Sequence, residues 1–71
     1  MAWHYFHVYA HGVLLLSDPV GLEIPETAFA REECSRIIRE LLKEEEWQDA
    51  AEHEFRVVDQ FGQVVVTVLF L

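Results

Sequence analysis

The run Val64-Val65-Val66-Thr67-Val68-Leu69-Phe70-Leu71 is apolar except for one threonine. A strand sends alternate side chains to opposite faces, so both faces of this one call for burial. The rest of the chain offers one long helical pattern, and one helix covers one face of a sheet but hardly two. The constraint is therefore a sheet with a helix on one side and an apolar second side that needs another surface.

The other elements follow in order. Trp3 to Tyr9 is aromatic and β-branched, which predicts a strand. Ala10, His11 and Gly12 form a turn, and Val13 to Leu16 is a short return strand. An even loop places Phe6, Val8, Val13 and Leu15 on one face and Tyr5, His7, Tyr9, Leu14 and Leu16 on the other; a three-residue loop shifts that pairing. Ser17-Asp18-Pro19-Val20-Gly21 is turn chemistry, and Leu22 to Pro25 leads into a helix starting near Glu26, with Thr27 available as N-cap.

Ala30, Cys34, Ile37, Ile38, Leu41 and Leu42 recur three and four apart after Phe29, forming one stripe on a helix of about 20 residues, roughly 30 Å long. Glu32 and Arg36 are spaced for an ion pair on its outer side. The helix end falls between Lys43 and Ala51, since no glycine stops it and three glutamates crowd its negative pole. The helix either frays after Lys43 or runs on through Trp47 toward Ala51, with Trp47 folding back onto the core edge. A closing hairpin turns at Asp59 to Gly62, with Asp at the first and Gly at the last position of a type I turn. A four-residue loop gives Phe55, Val57, Val64, Val66, Val68 and Phe70 one face; a three-residue loop would mix Asp59, Gln63 and Thr67 with them.

These elements predict a single domain over 1–71 of the α+β class, ββαββ in order. The expected sheet is rich in antiparallel pairs and has about four strands, with one long amphipathic helix on one face. The second face collects Trp3, Tyr5, His7, Tyr9, Leu14, Leu16, Val58, Val65, Leu69 and Leu71, an apolar surface of the kind that marks an interface. Seventy-one residues bury only about 60% of the unfolded surface, so a second subunit would add needed burial.

Charge narrows the partners. Thirteen acidic against five basic residues give a formal charge of -8, which repels nucleic acid and anionic membrane surfaces. Glu44, Glu45, Glu46, Asp49, Glu52 and Glu54 form an acidic stretch without an intervening cation, a surface for a basic protein partner. One cysteine excludes an internal disulfide, the start has no signal-peptide pattern, and no run reaches the roughly 20 apolar residues of a membrane helix; the expectation is a cytoplasmic protein.

No catalytic signature is present. His4, His7, His11 and His53 lack the spacing of known zinc sites, and strand parity sends His4 and His7 to opposite faces. Cys34 lies in the apolar stripe, where a thiol acts as a small core residue. Trp3, Tyr5, His7 and Tyr9 could stack bases, but four of the five basic residues sit on the helix instead of beside them.

The segments WHYFHV (3–8), DPVGLEIP (18–25) and FRVVDQFGQVVVTV (55–68), in this order, resemble a family of short bacterial proteins classed as a domain of unknown function. Its members open with an aromatic strand, continue with a D-x-x-G-x-E-L-P loop and close with an F-x-V-x-D-x-x-G-R-V-V hairpin. The resemblance implies the ββαββ layout and brings no activity, catalytic residue or cofactor. The expected function is a noncatalytic interaction module that self-associates through the apolar sheet face. The alternative is a small acidic regulatory or antitoxin-like protein that binds a basic partner through residues 44–54.

Overall fold

The aromatic opening segment becomes β1, Ala2–Ala10, and both of its edges are occupied in the computed structural model, which describes residues 2–47 and 51–70. The elements that follow are β2, Val13–Leu16; β3, Leu22–Ile24; the helix α1, Ala28–Leu41; a 3₁₀ turn, Glu45–Trp47; β4, His53–Asp59; and β5, Val64–Leu69. All pairs are antiparallel. The sheet runs β2-β1-β4-β5, and β3 pairs with the other half of the β1 edge that β2 uses. The sheet thus has five strands: Leu22–Ile24, read from sequence as a lead-in to the helix, pairs with Ala2–His4.

The first hairpin closes through the two residues His11 and Gly12, at φ 53° and 77°. Positive φ at both central positions matches the right-handed twist of the strands, and glycine takes it without strain. Tyr9 pairs with Leu14 as the even loop predicts, but a bulge between Val8 and Tyr9 sets Leu16 opposite Val8. Leu16 therefore belongs to the Phe6–Val8 side and not with Tyr9, a correction to its predicted face.

The second hairpin uses the loop that pattern alone disfavours. Asp59 donates its N–H to the Gln63 carbonyl at 2.9 Å, and Gly62, at φ 82°, donates to the Asp59 carbonyl at 3.0 Å. The Asp59 carboxylate accepts the N–H groups of Phe61 and Gln63 at 2.9 and 3.0 Å. This is a three-residue loop in which a type I turn is followed by a left-handed glycine. Its odd length sets Val58 opposite Val64, and a bulge then restores the parity, pairing Val57 with Val66 and Phe55 with Val68. Fully burying each large apolar side chain is worth about 1.5–3 kcal/mol, so a local break in the ladder that returns Val66, Val68 and Phe70 to the core is favourable. Val64 accordingly leaves the predicted core face and is 56% exposed.

Alternate residues of β1 and β4, Phe6, Val8, Phe55 and Val57, are buried with Val68 and Phe70 beneath Ala30, Cys34 and Ile38 of α1. Phe55 stacks on Phe70 with centroids 5.2 Å apart and meets Phe6 edge-on at 6.4 Å. The helix spans fourteen residues, shorter than its periodicity suggests. After Leu41 the N–H groups of Lys43 and Glu44 reach back only three residues, to Glu40 and Leu41, a tightening common where α-geometry gives out. Trp47 then stacks on Phe70 at 5.9 Å and closes the core edge.

One buried polar group ties sheet to helix. His4 is 2% exposed, and its ring nitrogens lie 3.1 Å from the Ala2 carbonyl and 3.2 Å from Thr27 Oγ1. The neutral ring with Nδ1–H donating to Ala2 and Nε2 accepting from Thr27 satisfies both. The Thr27 hydroxyl is thus spent on the sheet, and although Thr27 is the N-cap residue its side chain makes no cap bond.

Candidate functional site

The helix lies closest over β5, so the opposite face of the sheet is left open. Strand pairing arranges that face in rows. Leu14, Tyr9, Glu54 and Leu69 form one row across four strands; His7, Arg56 and Thr67 form the next; Tyr5, Val58 and Val64 form a third. Trp3 stands beyond them toward β3. Among these Trp3 is 42%, Leu14 49% and Leu69 62% exposed.

The centre of the face is more polar than the apolar residues alone foretold. Arg56 Nε donates to Glu54 at 2.7 Å, and the guanidinium lies 4.0 Å from the centroid of the Tyr9 ring. The two charges cancel within the face, and the Tyr9 ring stacks against the cation. Glu23, opposite Trp3 on β3, then leaves the open face one negative charge on a chain of formal charge -8.

Its upper edge is fixed by a device that reading by periodicity missed. Between β2 and β3 the β1 edge has a gap at Phe6, and Asp18 fills it. Its Oδ2 accepts the Phe6 N–H at 3.1 Å, and its Oδ1 accepts those of Val20 and Gly21 at 3.1 and 3.0 Å. The Asp18 N–H in turn donates to His7 Nδ1 at 3.0 Å. A carboxylate thus replaces the missing strand carbonyl, and a buried edge donor finds a partner. Burial would push the Asp18 carboxyl up, but the N–H donors of Gly21, Phe6 and Val20, with His7 nearby, outweigh it and hold the carboxyl below its ordinary value. Gly21 sits at φ 79°, where a Cβ would come within 2.7 Å of the Tyr5 ring. The Asp and Gly of the D-x-x-G segment were the available signal for this clip.

The predicted interface residues now divide. Trp3, Tyr9, Leu14, Val58 and Leu69 share the open face. Tyr5 and His7 are on it but are partly engaged by the Asp18–Gly21 loop. Leu16 pairs with Val8, and Val65 is the extra residue of the β5 bulge, packed against the core; both leave the predicted set. Leu71 lies outside the described residues.

The described acidic residues differ in their partners. Glu44 and Glu45 are exposed after the helix, Glu52 meets His11 at 2.6 Å, and Glu54 pairs with Arg56 on the sheet. Asp49 and the Glu46 side chain lie outside what is described. Arg36 bonds Glu33, three residues away, instead of the Glu32 that spacing favoured.

Other chemistry is limited by placement. Cys34 is fully buried, and burial, opposed by Arg31 and reinforced by Glu33, pushes its thiol up to about 12. Among the described residues no three of His, Cys, Asp and Glu gather as they would around a metal ion. An open groove of about 480 Å³ is lined by Ile24, Pro25 and Phe29 together with Glu32, Glu33, Arg36 and Arg39 of α1. No helix of the described residues is long and apolar enough to cross a membrane.

The family model described as Domain of unknown function (DUF6894) matches residues 3–71. The chain belongs to this family. The match covers the aromatic strand, the Asp18 clip, the helix and the closing hairpin, so in this chain the DUF6894 region has the ββαββ arrangement with the added short β3. No curated protein and no solved structure matches the chain.

Proposed function

We propose that this DUF6894 domain is a noncatalytic interaction module that self-associates through the open face of its sheet. The observation that carries the reading is that face: Trp3, Leu14 and Leu69 remain 42–62% exposed on a surface that α1 does not cover. Charge favours a second copy as the occupant. Two chains of formal charge -8 repel, but on this face Glu54 and Arg56 cancel and Glu23 alone adds a charge, so the opposition there is small. Size agrees, since the longer extents of the molecule, 34 and 22 Å, bound a face comparable with the roughly 800 Å² per partner of a standard interface.

A dilution series followed by amide and side-chain NMR tests this reading. Resonances of Trp3, Tyr9, Val58 and Leu69 are expected to shift on dilution while those of Arg31 and Glu40 on the helix stay fixed. Spectra unchanged across the series, or changes confined to the helix, would sink the proposal.

A further inference from the structure

The two edges of the sheet are treated differently by the sequence. The edge beside β1 is made of two short strands, carries Pro19 and Pro25 in its flanks, and has its vacant donor at Phe6 closed by Asp18. Those are the devices by which proteins blunt an edge. The β5 edge has a bulge near its hairpin end and, among the described residues, no strand beyond it. From residue 60 to residue 70 there is no charge and no proline.

The ladder shows which groups that edge presents. Phe70 donates its N–H to the His53 carbonyl at 3.0 Å, and Val68 pairs with Phe55. By the alternation of an antiparallel pair, the N–H and C=O of Thr67 and Leu69 then point away from β4.

We propose that β5 pairs antiparallel with β5 of a second copy of this chain, Thr67 opposite Thr67 on the two-fold axis, making one continuous sheet. In that register the outward groups of Thr67 meet their own kind, so each hydrogen bond formed on one side of the axis is repeated on the other, while Leu69 lies opposite Val65, the bulge residue at which the side-chain match ends. Val66 falls opposite Val68, keeping core-side residues on the core side. Thr67 beside Thr67 is also a favourable cross-strand pair. The absence of charge over residues 60–70 lets two strongly acidic chains meet here. The β2 edge is the weaker competitor, being four residues long, bulged and followed directly by the Asp18 clip.

This pairing does not depend on the face-to-face association proposed above, and disulfide trapping separates the two. Thr67→Cys places thiols on paired backbones about 5.5 Å apart, within disulfide reach, while the native Cys34 is buried. Under mild oxidation Thr67→Cys is expected to cross-link at least tenfold faster than Phe61→Cys on the exposed loop, and to do so equally in a Trp3→Glu background. Cross-linking no faster than the Phe61→Cys control overturns the proposal. So does faster trapping through Leu14→Cys on β2, or trapping lost with Trp3→Glu. Hydrogen exchange on the unmodified protein supplies a check free of folding defects. The Thr67 and Leu69 amides are expected to be protected like those inside the sheet, and free exchange at both contradicts edge pairing.

Discussion

Asp18 does more for this fold than any other polar side chain described, because three backbone N–H groups depend on its two oxygens. Replacing it with alanine leaves the Phe6 donor unpaired at a gap in the sheet, and the expected loss is on the order of 1–3 kcal/mol, read as a lowered denaturation midpoint. The pH dependence has a definite sign. A carboxyl held below its ordinary value stabilises the fold above pH 3.8 and loses that contribution as the pH falls from there through its native value. Thermal melts between pH 6 and pH 3 should therefore fall less steeply for Asp18→Asn than for the native chain; parallel curves would refute the assignment. Gly21→Ala should cost more than the roughly 1 kcal/mol of an ordinary glycine replacement, since its Cβ would strike both the Tyr5 ring and the His4 carbonyl. Full stability in that variant would show that the loop does not sit against Tyr5 as described.

Among the elements, the alternation of β1 and β4 and the helical stripe were legible in sequence because each repeats at one period over many residues. Phe6, Val8, Phe55 and Val57 are buried as their parity requires, and Ala30, Cys34 and Ile38 mark the covered side of the helix. The β5 register was only half legible. The pattern placed Val66, Val68 and Phe70 correctly, but a bulge can reconcile an odd loop with an even pattern, and nothing in Val64-Val65-Val66 distinguishes which valine is the extra one. The fifth strand was hidden for a related reason, since three residues ending at a proline carry too little periodicity to be told from a loop. The helix end was ambiguous because it depends on contacts of Trp47 with Phe70 and not on a stop residue. At the centre of the core, Phe55→Ala removes a ring packed against Phe6 and Phe70. It should cost about 3–5 kcal/mol by chemical denaturation. A loss below about 1 kcal/mol would mean that these rings do not form the core.

At the scale of the whole molecule, one helix over one side of a five-stranded sheet leaves the arrangement that the closing strand foretold, a layer short of a second cover. The face was legible in outline, yet its polar centre was not, because the pairing of Glu54 with Arg56 and of Arg56 with Tyr9 depends on strand neighbours far apart in sequence. Electrostatics separate self-association from capture of a basic partner. Salt screens repulsion between two acidic chains, so dilution should dissociate the assembly less readily at high salt than at low salt; attraction to a basic protein would weaken instead. The decisive quantity is the mass in solution. Light scattering at tens of micromolar should give a multiple of the 8.3 kDa chain that halves on Trp3→Glu while far-UV circular dichroism is unchanged, whereas a mass of 8.3 kDa for the native protein would contradict the account.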